Sequence, residues 1–201
     1  MGRKLYVGNL PYSATEQSIR EAFAASGFAP LEPSFRARHA LQGKAVSIAM
    51  PDRRTVYMSD DGDNAGFFMF IADRPGDLSA GRLFAARWEQ TSPAGSAQAT
   101  ANLGWVDLGH ATSAAIVQAI EANTSFSDLF ETAPITGEGQ CPGGFTPVNF
   151  VGDTERRAGE CLKVKPQKEI VASRLETRRY AAMKGATTEF NKAEGLTFDP
   201  N

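Results

Sequence analysis

Short runs of β-prone apolar residues, separated by turn-forming residues, dominate the middle of the chain. They occupy residues 46–49, 55–58, 67–72, 81–88 and 101–108. The run at 67–72 is apolar at every position, which is typical of a strand buried on both faces. Short strands at near-regular spacing, joined by turns, predict a sandwich, a barrel or a propeller blade. We therefore expect a β-rich fold in this region.

The beginning of the chain follows a different pattern. Residues 4–10 alternate between apolar and polar positions and predict a strand. Ser13 and Glu16 have the spacing of a capping box, and Ile19 and Phe23 then lie four apart on one helical face. Together these signals predict a short β-α unit.

Helical patterns return in the second half of the chain. Residues 114–122 predict a modest helix, residues 126–130 another turn, and residues 168–180 a further helix. Residues 132–160 are rich in Gly, Pro and Thr and predict irregular structure. The expected fold class is mainly β with some helix.

These patterns divide the chain into three segments. Residues 1–30 form the predicted β-α unit and residues 44–201 the β-rich domain. Residues 31–43 form a linker between them, in which Pro33 interrupts any regular element.

The charge balance limits which partners the chain is expected to bind. It carries 21 basic and 23 acidic side chains, a net charge of −2. This balance argues against a strong overall nucleic-acid footprint, which usually requires a basic excess. Arg36, Arg38 and His39 form a small basic cluster that fits either a solvated loop or a phosphate-binding patch.

The two cysteines, Cys141 and Cys161, do not form a Cys-x-x-Cys pair, so a zinc site is not expected. A disulfide between them would require an exported chain, and residues 1–7 lack the apolar region of a secretory signal. We therefore predict two unpaired thiols and a cytoplasmic location. Because no apolar run approaches the ~18 residues that span a bilayer, we expect no membrane association.

The predicted β-α unit resembles the start of an RNA-recognition motif. Residues 5–10, LYVGNL, resemble the shorter of that family's two sequence motifs, and residues 3–27 match its first strand and helix. The resemblance implies that Tyr6 stands on the sheet surface and stacks on a base. A second aromatic motif is expected 35–40 residues later and is not found there. Tyr6 therefore indicates either RNA binding or an exposed strand tyrosine in a remnant.

Residues 41–201 resemble the PhoX-type alkaline phosphatases. The similar blocks are residues 55–64 with 67–70, residues 73–81, residues 105–113, and the closing run 175–196. The resemblance implies a partial β-propeller around a calcium–iron cluster that cleaves phosphoesters. It also implies calcium and iron as cofactors and export of the full-length relatives.

Two acidic segments would supply metal ligands in this family. Asp60 and Asp61 belong to a tight polar loop between two predicted strands, and carboxylate oxygens are the ligands that calcium prefers. By resemblance, Glu194 is a further metal ligand and Lys192 a phosphate contact, although Ala193 replaces the expected proline. The alternatives are a polar hairpin turn for the first segment and a solvated charged turn for the second.

Arg178 and Arg179 could also face a phosphate. Because they are adjacent on a predicted helix, we expect one of the pair to point to solvent.

These observations lead to three hypotheses. The first is a fragment of a PhoX-type metal-dependent phosphoester hydrolase, from which we expect no turnover in isolation because its metal cluster is incomplete. The second is an RNA-binding protein that uses Tyr6. The third is an inactive structural remnant.

Overall fold

The computed structural model describes the β-rich domain and its C-terminal helices. The described residues are 46–60, 65–136, 140–148, 159–191, 193, 196–197 and 199. The β-α unit predicted at 1–30 and the linker at 31–43 lie outside this range.

The first sheet is a five-stranded antiparallel meander in which each strand pairs with the next along the chain. Its strands are β1 (Val46–Ala49), β2 (Thr55–Ser59), β3 (Phe67–Arg74), β4 (Asp77–Gln90) and β5 (Ala101–Thr112). All five strands predicted from the apolar runs are confirmed, and β4 and β5 are longer than predicted. Within the described residues the sheet is open, with β1 and β5 at its edges. This confirms a mainly β fold.

Strand β3 shows why the sheet has two apolar faces. Phe68 and Met69 are neighbours, so their side chains point to opposite faces, and both are at most 9% exposed. The prediction of burial on both faces is confirmed at these two positions. Toward the end of the strand, Asp73 and Arg74 are exposed.

The second sheet contains three short antiparallel strands in the order β6-β8-β7. They are β6 (Phe130–Ala133), β7 (Thr146–Val148) and β8 (Glu160–Val164). The prediction of irregular structure over residues 132–160 is therefore wrong at β6 and β7. Strand β7 contains Pro147, which is tolerated because β7 is an edge strand.

Among the described residues, four helices follow the first sheet. They are α1 (Ser113–Glu121), α2 (Phe126–Leu129), α3 (Glu169–Leu175) and α4 (Thr177–Met183). Helix α1 starts at the N-cap Thr112, whose hydroxyl accepts from the Ala115 N–H at 3.2 Å. The single helix predicted for residues 168–180 is divided in two at Glu176, whose φ of −129° and ψ of 48° are not helical. No helix in the described ranges is long and apolar enough to cross a membrane.

The core lies between one face of the first sheet, the helices and the second sheet. Leu108, Leu129 and Leu162 are each at most 1% exposed, and they come from β5, α2 and β8. The buried cluster comprises Phe68, Leu83, Ala85, Leu108, Ala111, Ile116, Leu129, Phe130, Val148, Leu162, Ala172, Leu175, Tyr180 and Ala181. We call the sheet face that contributes to this cluster the inner face.

Cys141 and Cys161 form a disulfide, with their Cα atoms 5.5 Å apart. The prediction of unpaired thiols is wrong. Strand β8 holds Cys161 at 1% exposure, and the Cys161 sulfur lies 3.9 Å from the carbonyl of Gln140, the neighbour of Cys141. This proximity depends on the packing of two segments 20 residues apart, which spacing in the sequence does not reveal.

A close approach of backbone on the inner side of β4 requires a glycine at position 81. A Cβ atom there would collide with the Ile71 carbonyl oxygen and lie 2.5 Å from Cζ of Phe70. Gly81→Ala should therefore lower the free energy of unfolding by about 1–3 kcal/mol, measured by urea denaturation.

The matched control for Gly81 is Gly104→Ala on β5. A Cβ atom there meets nothing closer than 3.8 Å. Because alanine restricts the unfolded chain more than glycine does, this variant should be neutral or stabilised by about 0.5 kcal/mol. Equal effects of the two substitutions would contradict the close packing at Gly81.

Candidate functional site

Asp60 is the one predicted metal ligand that lies within the described residues. It follows the last residue of β2 directly, and its side chain is fully buried. Arg178, on α4, donates to Oδ2 of Asp60 from Nε at 2.7 Å and from Nη2 at 2.5 Å. The carboxylate predicted to hold a cation is thus held by a guanidinium group whose side chain is 10% exposed.

The Asp60–Arg178 pair joins two distant parts of the fold. The two residues are 118 positions apart, and their contact fixes the end of β2 against α4. A buried ion pair must recover a large desolvation cost through close geometry and further hydrogen bonds. Substitution of one residue of the pair would leave the charge of the other buried without that partner. We therefore expect such a substitution to destabilise the fold.

Arg179 has a separate set of partners. It donates to Glu160 at 2.8 Å and to Glu176 at 2.9 Å, and its guanidinium carbon lies 5.2 Å from the centre of the Phe126 ring. Burial alone would lower the pKa of Arg179, but the hydrogen bond and charge of Glu160, with the charge of Glu176, raise it. The prediction that one of the two arginines points to solvent is wrong, because both pair with carboxylates.

A backbone bridge joins Ala65, which follows the first predicted metal-ligand segment, to Phe190, which precedes the second. The Ala65 N–H donates to the Phe190 carbonyl at 2.8 Å, and the Phe190 N–H donates back at 3.2 Å. Ala65 closes the polar loop that starts at Asp60, and Phe190 comes two residues before Lys192. Segments 125 positions apart in the sequence therefore meet at one end of the sheet.

The neighbouring chain strengthens this junction. The Thr187 N–H donates to the Ala86 carbonyl at 2.9 Å, and the Trp88 N–H donates to the Thr187 hydroxyl at 2.8 Å. The segment that follows α4 therefore lies alongside β4, past the point at which β3 begins.

The described groups near Asp60 supply only part of what a hard cation needs. The adjacent Ser59 is fully buried, and its hydroxyl has no hydrogen-bond partner in the part of the chain that the structure describes. A buried hydroxyl of this kind fits a nearby polar ligand. A metal ion at Asp60 would have to share the carboxylate with Arg178. In the described ranges, no group of three His, Cys, Asp or Glu side chains is gathered for a metal.

Four other predicted site residues lie outside the described residues: Asp61, Lys192, Glu194 and the RNA-stacking candidate Tyr6. Their roles therefore stay predictions.

Arg174 is a buried charge that the sequence did not single out. It is 3% exposed and donates to the Ser173 hydroxyl at 2.6 Å and to the Gly109 carbonyl at 2.8 Å. Burial lowers the pKa of Arg174 to about 10, so the fold carries a costly charge at neutral pH. This cost lowers the free energy of unfolding while Arg174 is protonated in the folded protein, and it declines as the pH rises through about 10. The hydrogen bond to Gly109 fixes α3 against β5.

A scan against protein-family models, a search of curated proteins and a search of solved structures each returned no match for this chain.

Proposed function

We propose that this chain is part of a PhoX-type phosphoester hydrolase, to which it contributes one side of a metal site. The proposed ligands are Asp60, Asp61 and Glu194, with Lys192 as a phosphate contact. Carboxylate ligands suit calcium and ferric iron, and such ions polarise a phosphoryl group for attack.

The observation that carries this proposal is the bridge between Ala65 and Phe190. The sequence resemblance assigns the metal ligands to two segments that are far apart in the chain. Since the bridge joins the described ends of these two segments, it supports a common site. The buried Ser59 hydroxyl adds an unused polar group beside Asp60.

In this proposal Arg178 has two effects. Its guanidinium neutralises Asp60 when no cation is bound, and it keeps a positive charge beside the phosphate-binding region. A metal ion and Arg178 compete for the same carboxylate, so calcium affinity should be modest for a site with three carboxylates.

The disulfide bears on where the protein functions. Disulfides persist in oxidising compartments and are rare in the cytoplasm. The Cys141–Cys161 bond therefore favours an exported protein, as the family resemblance implies, over the cytoplasmic location expected from the first residues.

Calcium binding tests the proposed site. Saturating calcium should raise the free energy of unfolding of the full chain by about 2.7 kcal/mol at a hundred times the dissociation constant. Glu194→Gln should abolish this response, because it removes a charged ligand. Glu189→Gln is the matched control, since Glu189 is exposed and is not a proposed ligand. An equal calcium response in wild type and Glu194→Gln would refute the site.

Turnover tests the separate expectation that the chain alone is not an enzyme. With calcium and iron supplied, we expect no hydrolysis of p-nitrophenyl phosphate, because the resemblance implies a larger metal cluster than Asp60, Asp61 and Glu194 can form. Robust turnover that disappears in Glu194→Ala would show instead a complete active site.

A further inference from the structure

The face of the first sheet opposite the core is also apolar. Strand alternation and register put one set of side chains there, including the cross-strand pairs Tyr57–Met69 and Trp88–Leu103. We call this set the outer apolar face; its members are Tyr57, Phe67, Met69, Ile71, Phe84, Ala86, Trp88, Leu103 and Trp105. None of them belongs to the core cluster.

The centre of the outer apolar face is an aromatic cluster. The ring centre of Trp105 lies 5.8 Å from that of Tyr57 and 5.8 Å from that of Phe67. Phe190 adds an edge-on contact to Phe67 at 6.4 Å. Such packing rigidifies the cluster and leaves its rings partly exposed.

One end of the outer apolar face is exposed to solvent, and the other end is bordered by charged side chains. Trp88 and Leu103, opposite each other on β4 and β5, are 45% and 47% exposed. Toward the other end, Arg82 pairs with Asp107 at 2.6 Å. An apolar patch with a polar border marks a contact surface, and a sheet that is apolar on both faces is normally covered on both.

We propose that the N-terminal β-α unit, residues 4–27, packs on the outer apolar face of the same chain. The sequence gives this unit an apolar helix side with Ile19 and Phe23, which needs an apolar partner. A helix on a sheet face is a standard way to bury both.

Chain length and attachment favour this occupant. Val46 pairs with Ser59 at the β1 edge, next to the strand that carries Tyr57. Residues 28–45 can span up to roughly 60 Å, whereas five strands are only about 19 Å across. The connection therefore reaches every part of the face.

Charge also favours an intramolecular contact. Residues 1–45 contain six basic and three acidic side chains, a net charge of +3, so residues 46–201 carry −5. The proposed occupant, residues 4–27, has two basic and two acidic side chains, so the sheet does not repel it, whereas two copies of the −5 domain repel each other.

The test uses the full chain and the variant Leu103→Lys. Because Leu103 is half exposed, the substitution should leave the fold intact, yet it puts a charged side chain into the apolar surface that the helix of residues 4–27 is proposed to cover. Hydrogen exchange in residues 16–24 should become about tenfold faster than in wild type. Asn102→Lys is the matched control, since its side chain points to the other face of β5, and it should leave this exchange unchanged.

Tryptophan fluorescence provides a second measurement, because both tryptophans of the chain, Trp88 and Trp105, belong to this face. Acrylamide should quench them more strongly in Leu103→Lys than in wild type. Unprotected exchange of residues 16–24 in wild type would overturn the proposal. A dimer in light scattering that dissociates in Leu103→Lys would also overturn it, because a second copy would then be the occupant.

Discussion

Arg178→Met is expected to lower the free energy of unfolding by about 3–5 kcal/mol, a large share of the roughly 5–15 kcal/mol that stabilises a typical domain. Methionine fills a similar volume but carries no charge and donates no hydrogen bond. Asp60 is fully buried, so its carboxylate would lose the guanidinium that now donates two hydrogen bonds to Oδ2. Urea denaturation followed by circular dichroism measures the loss.

Arg82→Met is the matched control for this prediction. Arg82 and Asp107 form a pair of similar length, but their side chains are 52% and 48% exposed. Solvent screens such a pair, so the same substitution should cost about 1 kcal/mol or less. Similar small losses in both variants would show that Asp60 and Arg178 do not form a buried pair in solution.

Calcium separates the structural role of Arg178 from the proposed metal site. A cation that binds Asp60 replaces the charge that Arg178→Met removes. Calcium should therefore stabilise Arg178→Met more than it stabilises wild type. An equal stabilisation of both proteins would place any calcium site away from Asp60.

The strands of the first sheet were predictable because their signals are local. Each strand is a short apolar run bounded by turn residues, and consecutive strands pair with each other. The second sheet was missed because β6 and β7 pair only with β8, at a distance in the sequence. Short strands that contain polar residues and Pro147 carry no periodic signal of their own.

The contacts of the candidate site were not predictable from the sequence. The composition of the loop after β2 predicted a metal ion at Asp60, whereas the structure places the guanidinium of Arg178 against that carboxylate. A loop rich in Asp and Gly suggests exposure, whereas Asp60 is buried by packing against α4. No local pattern indicates which of two adjacent arginines faces a partner 118 residues away.

Three contacts that the sequence did not reveal have the same physical origin. The disulfide, the Asp60–Arg178 pair and the bridge between Ala65 and Phe190 are contacts between segments remote in the sequence. Each depends on how the C-terminal helices and the second sheet pack on the first sheet. The C-terminal third of the chain therefore closes the fold and also contains Glu194, one of the three proposed ligands.

Reduction of the Cys141–Cys161 disulfide is expected to lower the free energy of unfolding by about 3 kcal/mol. The bond closes a loop with a sequence separation of 20, and releasing a loop of that size returns this much chain entropy to the unfolded state. The midpoint of urea denaturation should fall when dithiothreitol is added.

Cys141→Ala isolates the contribution of the bond from any general effect of the reductant. Cys141 is partly exposed, so its truncation should leave little cavity, while Cys161 remains in the core as a buried thiol. This variant should match the reduced wild type in stability and should not respond to dithiothreitol. If reduction leaves the wild-type midpoint unchanged, the two cysteines are not joined in solution, and the argument for an oxidising compartment loses its basis.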